Sequence, residues 1–325
     1  MKNYTVKRYE TADYAQWNAF INKAKNATFL FHRDFMEYHS DRFLDFSMLV
    51  YEDEKLVAAI PANRVEAAVF SHQGLSYGGF VFNADVKLPK VLKIVHKVLQ
   101  FLHQNSIATL QIKPLPFFYN DFLSDEIQYA LFLCDAKLIR RDCLSVIDLS
   151  KPFAYSENKK RKVKKGKSSD FSIVEEDDFE RFWNQVLIPN LQQKHHVLPV
   201  HSLPEIALLK QRFPKNIRQF SVYQSGQIVA GTTIFETPNA AHAQYISGIS
   251  EQNELGSIDF LFDFLLQEIY PDKAFFDFGI SNENAGRNIN EGLLYWKESF
   301  GARAVMQDFY EINTENFTQL ENILI

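Results

Sequence analysis

Cysteine is scarce in this sequence: Cys134 and Cys143 are the two copies among 325 residues, nine positions apart. Neither has a second Cys or a close His beside it, which argues against a thiolate metal site or a disulfide framework. Two buried free thiols in a reducing compartment are expected instead. Long apolar runs are also missing. No stretch of 18 apolar residues occurs, so no segment is built to span a bilayer as a helix. Met1 to Glu10 alternates polar and apolar residues without the apolar core of a secretory signal. A cytoplasmic chain is therefore expected, with work on a membrane-bound substrate left open. A surplus of positive charge is absent too. The 35 Lys and Arg against 40 Asp and Glu leave a net charge of -5, which speaks against a general nucleic-acid binder and against DNA as a partner.

What the sequence has in quantity is Phe, with 30 copies, set inside strand-like and helix-like segments where aromatic core packing accounts for them. With 46% hydrophobic residues, the length suits two domains of roughly 150 residues, each burying its own core. Both halves carry the same order of elements. The first half reads as a strand at Tyr4–Arg8, helices near Tyr14–Ala24 and Asp34–His39, and strands near Phe46–Tyr51 and Leu56–Arg64. A third apolar stretch ends in Tyr77-Gly78-Gly79. Next comes a helix at Leu88–Gln104, where Val91, Leu92, Val95, Leu99 and Leu102 follow the helical period. A strand at Ala108–Ile112, a helix near Phe122–Leu133 and a strand near Leu138–Leu149 close the half.

The second half repeats this with strand Phe171–Val174, helices Phe179–Leu191 and Pro204–Arg212, and strands near Arg218–Tyr223, Ile228–Phe235 and Ala241–Gly248. A helix Ser257–Ile269, a strand Ala274–Phe278, a helix Ile289–Ser299 and a strand Ala302–Ile312 follow. Trp17-Asn18 echoes Trp183-Asn184, Arg42-Phe43 echoes Arg212-Phe213, and Gly78 stands opposite Gly248. Tyr51 before Leu56-Val57-Ala58 matches Tyr223 before Ile228-Val229-Ala230 at the same spacing. Together these echoes imply a duplication, with domains at 1–150 and 171–325. Between them, residues 159–167 hold seven basic residues in nine positions. This run is either a solvated helical linker, 151–170, or an anion clamp for phosphates of coenzyme A or of an RNA acceptor stem.

The element order, together with Phe276-Asp-Phe-Gly-Ile-Ser-Asn-Glu283 and Asn290-Glu-Gly-Leu-Leu-Tyr-Trp-Lys-Glu-Ser-Phe-Gly301, resembles the Fem aminoacyltransferase family. The resemblance implies an α/β protein of the α+β type: two tandem acyl-CoA N-acyltransferase-like (GNAT) domains with mixed, mostly antiparallel sheets. It also implies an acceptor site in the first half, which brings in His72 and Tyr77. One pattern departs from acetyl-CoA-dependent relatives. Their glycine-rich pyrophosphate loop is replaced by Asn83-Ala-Asp-Val-Lys-Leu-Pro in the first half. In the second it is replaced by Glu251-Gln-Asn-Glu-Leu-Gly-Ser257, which keeps Gly256 at a helix start.

Acyl transfer to an amine needs a deprotonated amine, a stabilised carbonyl oxygen and close positioning of both. In the implied fold the fourth and fifth strands part, which places Tyr245, Asp277, Ser281 and Glu283 on or just beyond the cleft. Asp277 alternates with Phe276 and Phe278, so it points away from both and either pairs with Lys297 or Arg287 or binds the acceptor. Glu283 is a turn residue or a reachable general base. Asn290 is expected to cap the next helix, with Asn288 competing, and joins Lys297 around the acceptor. Ser71 to Gly79 carries three Gly, read as hairpin chemistry or a close approach to ligand. His195, His196 and His201 lack an acidic or Cys partner for a metal set, so no metal is expected; His195 or His196 remains a candidate proton acceptor.

The resulting expectation is an acyltransferase that moves an acyl or aminoacyl group to an amine on a sugar or cell-envelope precursor. Asp277, Glu283, Tyr245 and His195 are its catalytic candidates. The donor is acyl-CoA or aminoacyl-tRNA, held by Lys162, Lys164, Lys165 and Gly256. A non-catalytic tandem binding module and a tRNA-dependent aminoacyltransferase are the competing readings.

Overall fold

The computed structural model describes residues 2–323. It divides into two compact units, Met1–Asp142 with Met306–Ile325, and Cys143–Val305. Along the chain, unit 1 contains β1 (Tyr4–Arg8), α1 (Tyr14–Ile21), α2 (Arg33–Met36), β2 (Met48–Glu52), β3 (Lys55–Ile60), β4 (Asn63–Val65), β5 (Ala68–Phe70), β6 (Val81–Phe82), α3 (Leu88–Gln104), β7 (Thr109–Ile112), α4 (Glu126–Leu133) and the start of β8 (Lys137–Asp148). Unit 2 takes the rest of β8, α5 (Glu157–Ser168), β9 (Phe171–Glu176), α6 (Glu180–Phe182), α7 (Ile188–His195), α8 (Leu203–Arg212), β10 (Ile217–Gln224), β11 (Gln227–Glu236) and β12 (Ala240–Gly248). It continues with α9 (Ser250–Glu254), α10 (Ser257–Phe264), β13 (Phe275–Ile280), β14 (Asn282–Glu283), β15 (Asn288–Ile289), α11 (Glu291–Glu298) and the start of β16 (Arg303–Asn313).

In unit 1, β1, β2, β3 and β6 form one antiparallel sheet. The β4–β5 hairpin lies parallel to β7, whose other edge takes Tyr310–Asn313 of β16 antiparallel. Helix α3 buries Val91, Leu92, Ile94, Val95, Val98, Leu99 and Leu102, an apolar stripe broad enough to seat it on the core. In unit 2 the strand order is β8, β13, β12, β11, β10, β9, with β12 and β13 the parallel pair. Phe262, Phe276, Phe278 and Phe300 form the centre of that core.

The internal repeat is visible in detail. Trp17 and Trp183 are both fully buried, and each indole N–H donates to a backbone carbonyl beyond its helix, at Phe31 (2.7 Å) and His201 (3.4 Å). β2 has a register shift between Val50 and Tyr51, and β10 has the matching shift between Val222 and Tyr223. Tyr51 then pairs with Leu56 and Tyr223 with Ile228, so the conserved spacing between the halves encodes the same bulged hairpin twice.

Several expected elements differ. The strand expected through Arg64 stops at Ile60, because Pro61 supplies no N–H to continue the ladder. The chain then makes the β4–β5 hairpin, which the sequence reading lacked. The stretch ending in Tyr77-Gly78-Gly79 contains no long strand; the sheet is completed by the two residues of β6. Helix α4 begins at Glu126, leaving Phe122 and Leu123 exposed ahead of it. The domain limits differ in two respects: Met306–Ile325 group with unit 1, and the basic run is helix α5, packed against α10 inside unit 2. No described helix is long and apolar enough to cross a membrane.

Candidate functional site

In unit 2, β12 and β13 pair over Ala240–Phe275, Ala241–Phe276 and His242–Asp277, and the ladder ends there. Just beyond it β12 bulges against β11 near Gln244, and Gly279 turns β13 with φ of +73°, a left-handed conformation that favours Gly. The two strands therefore part after His242 and Asp277. Asp277 is buried on the face opposite Phe276 and Phe278, as the alternation requires. Its burial is compensated: Oδ2 lies 2.9 Å from Nδ1 of His242, and Oδ1 accepts from the Gly279 N–H at 2.7 Å. This pairing places the imidazole proton on Nδ1 and leaves the other ring nitrogen of the partly exposed His242 as an acceptor.

Lys297 reaches the same place from α11. Its buried ammonium donates to the carbonyl oxygens of Gly279 (3.1 Å) and Ile280 (2.6 Å). Burial brings its pKa down to about 8, against the opposing pull of Asp277 and Cys143. The chain between these groups is ordered by its own polar side chains. Asn282 Oδ1 accepts from the Cys143 N–H at 2.5 Å. Asn290 caps α11 by accepting from Leu293 N at 3.0 Å, and its amide donates to Glu283 Oε1 at 3.3 Å. Ser281 is buried with a hydroxyl that has no hydrogen-bond partner among the described residues. Asp277, Ser281, Glu283, Asn290 and Lys297 thus lie along one turn from β13 to α11, with Glu283 at its exposed edge.

Other expected residues are placed elsewhere. Tyr245 is buried against Trp183, and its hydroxyl bonds to His201, at 3.1 Å from N and 2.6 Å from Nδ1, so it serves packing. His195 ends α7, and its side chain lies outside the described residues. Tyr77 and His72 belong to unit 1; Tyr77 donates to Thr28 Oγ1 at 3.0 Å within the core. Among the basic candidates, Lys162 and Lys164 are exposed, while Lys165 donates to the Glu254 carbonyl at 2.9 Å. Lys159, not singled out from the sequence, is buried, bonded to Asp259 and 3.9 Å from the Phe300 ring centroid. Residues 159, 163 and 166 form the buried stripe of α5, and this spacing was the available signal.

A cavity of about 390 Å³ opens at the C-terminal end of β12, bounded by Ser247, Gly248, Asn190, Asn253, Trp296 and Lys162. The loop that would cradle a pyrophosphate borders it. Asn190 and Asn253 both donate to the Gly248 carbonyl (2.9 and 3.0 Å). The N–H groups of Asn253 and Gly256 donate to the carbonyls of Ile249 and Asn253 (2.9 and 3.0 Å). These amides are committed within the protein. Gly256 itself has φ of +91°, and a Cβ there would lie 2.5 Å from the Lys162 carbonyl oxygen. Its role is close packing of α5 on α10. Gly256→Ala should lower unfolding free energy by about 2–4 kcal/mol, read as a fall in the urea midpoint at unchanged slope.

With this geometry in place, known structures provide a comparison. FemX is similar over 98% of this chain and 99% of its own, with a TM-score of 0.66 and 10% identity. This chain has the tandem GNAT fold. A tandem GNAT protein from the clavulanic acid biosynthesis pathway covers 96% of this chain and 99% of its own (TM-score 0.51, 10% identity). The C-terminal domain of a putative lysylphosphatidylglycerol synthetase from Agrobacterium fabrum covers 81% and 84% (TM-score 0.55, 11% identity). No family profile and no curated protein matches the sequence. In this chain His242 and Asp277 meet where β12 and β13 part, and Lys297 is anchored beside them on the Gly279 and Ile280 carbonyls.

Proposed function

We propose that the chain transfers an acyl or aminoacyl group to an amine, and that the opening between β12 and β13 is the reaction centre. The observation that carries this reading is the convergence there of His242, Asp277 and Lys297. Asp277 orients the imidazole, and the free ring nitrogen takes the proton of the attacking amine. The Lys297 ammonium, anchored on two β13 carbonyls, keeps a donor hydrogen for the oxyanion that forms as the amine adds to the donor carbonyl. Collapse of that intermediate expels the carrier, with the proton returned from His242. Glu283 and Asn290, at the exposed edge, bind the acceptor.

Aminoacyl-tRNA suits the donor side better than acyl-CoA. The N–H groups of Ile249, Asn253 and Gly256 are engaged internally, whereas the exposed Lys162 and Lys194 line the cavity. The acceptor is then an amine on a sugar or on a cell-envelope precursor. The test is a transfer assay with charged tRNA and, separately, acetyl-CoA, offered to a panel of amino-bearing precursors and read by mass spectrometry. Transfer from charged tRNA is expected; transfer from acetyl-CoA alone overturns the donor assignment, and no transfer from either overturns the enzyme reading. Replacing Lys162, Lys164 and Lys165 with Gln should raise KM for charged tRNA several-fold at low salt and less at high salt, with kcat unchanged.

A further inference from the structure

Helix α4 of unit 1 carries apolar residues on both of its sides. The inner side buries Ile127, Ala130 and Leu131 in the core. The outer side presents Tyr129 and Phe132, 48% and 74% exposed, as a stacked pair with ring centroids 6.3 Å apart. Directly ahead of the helix, Phe122 and Leu123 are 63% and 95% exposed. The segment that carries them is tied down. The Asp121 N–H donates to the Lys25 carbonyl (2.9 Å), and the Gln128 N–H to the Asp125 carbonyl (2.9 Å). Lys25, itself buried, bonds to Glu126 Oε1 (2.6 Å) and to the Val86 carbonyl (2.9 Å). Apolar residues on both sides of a helix call for a cover on both, and unit 1 supplies a cover for one.

Size and charge decide what covers the other. A full aromatic side chain carries about 150–250 Å², so Phe122, Leu123, Tyr129 and Phe132 leave about 500 Å² of apolar surface open. Paired across a two-fold axis that becomes about 1,000 Å², whereas specific interfaces bury about 1,200–2,000 Å² in all, a little over half of it apolar. The patch therefore suffices as the apolar centre of a stable dimer. Its flanks are self-complementary. Asp125 stands at the start of α4 and Lys137 just past its end; both are exposed, and neither has an ion-pair partner among the described residues. When α4 lies antiparallel on its own copy, the Asp125 end of each helix meets the Lys137 end of the other, and the helix dipoles oppose. A bilayer is the competing apolar cover. Asp121 and Asp125, exposed carboxylates on either side of Phe122 and Leu123, disfavour it, because insertion would carry them into the headgroups of an anionic surface.

We propose that α4 packs antiparallel on α4 of a second copy of this chain, with Phe122, Leu123, Tyr129 and Phe132 in the contact and Asp125 of each copy opposite Lys137 of the other. The contact uses no residue of the β12–β13 opening, and its test needs no turnover. Sedimentation velocity of the full chain over a dilution series should show the mass rising from one chain to two with concentration. Phe132→Asp should weaken that association by about tenfold or more, as expected for an aromatic group at the centre of an interface. Asp125→Lys and Lys137→Asp should each weaken it by about three- to tenfold, since each sets like charges opposite one another. An equimolar mixture of these two variants should associate as tightly as wild type, because both flanking pairs are then opposite in charge. Each variant is checked for a cooperative melt, and Phe132→Ser serves where Phe132→Asp does not fold. Four results overturn the proposal. The wild-type chain keeps one chain's mass at every concentration; Phe132→Asp or Phe132→Ser dimerises as wild type does; the mixed charge variants associate no better than either alone; or the monomeric chain binds phosphatidylcholine–phosphatidylglycerol vesicles through Phe132, which assigns the face to a bilayer.

Discussion

Lys297→Met should slow transfer by about 10²–10³-fold, the effect of removing one donor aimed at a developing oxyanion, while the protein still melts cooperatively. The size of the effect follows from placement. The ammonium is buried where β13 leaves its neighbour, on the carbonyls of Gly279 and Ile280, so water cannot replace it. Its pKa of about 8 gives a second readout: the wild-type rate should fall on the alkaline side as the ammonium is lost, and the residual rate of Lys297→Met should lack that limb. The same shift has a defined sign for stability. The folded chain releases this proton near 8, the unfolded chain only near the ordinary 10.5, so between those values the unfolded state binds more protons and stability rises with pH. Urea midpoints across that window should show the rise in wild type and a smaller one in Lys297→Met.

Lys159→Met should be the most destabilising single change in the basic helix, at about 3–5 kcal/mol, because it leaves a carboxylate buried without its counter-charge. Asp259 is 3% exposed and its Oδ1 is otherwise contacted by the Trp296 indole N–H at 3.1 Å. The lysine also lies over two rings, 3.9 Å from the Phe300 centroid and 4.9 Å from that of Trp296. Removing both charges in Lys159→Met with Asp259→Leu should recover most of the loss, since the pair's net worth is small compared with the cost of an orphaned charge. Lys160→Gln and Lys164→Gln, on the exposed face of α5, should stay within about 0.5 kcal/mol of wild type. Urea melts of the five proteins distinguish this from a uniformly solvated basic linker, for which all the single changes would be small.

The contrast within α5 shows where sequence reading works. Period and spacing are local, so α3 was read to its observed limits, and the paired Tyr51 and Tyr223 spacings were sufficient to reveal the repeat. A burial stripe inside a run of lysines is also local, but a charge count hides it: Lys159 reads as one more solvated cation until the i, i+4, i+7 line through Val163 and Gly166 is drawn. Asp277 and Lys297 stood out because polar residues interrupt an apolar run. Their partner did not. His242 meets Asp277 across a parallel register 35 residues away, and no spacing in the sequence specifies which residue of one strand faces which of the other. Tyr245, on the expected strand, was placed at the cleft for the same reason, yet it faces Trp183 and His201. The β4–β5 hairpin was missed because Asn63 to Phe70 is too short to show a period.

The most direct test of a reaction centre at the parting of β12 and β13 is the single-turnover transfer rate of His242→Gln beside wild type, with the donor that the wild-type protein uses. Gln keeps an amide that can still bond to Asp277 but cannot take the amine's proton. A fall of about 10²–10⁴-fold with an unchanged melting temperature is the result predicted for a general base held by Asp277. Transfer at the wild-type rate would contradict it and would place the chemistry elsewhere in the protein.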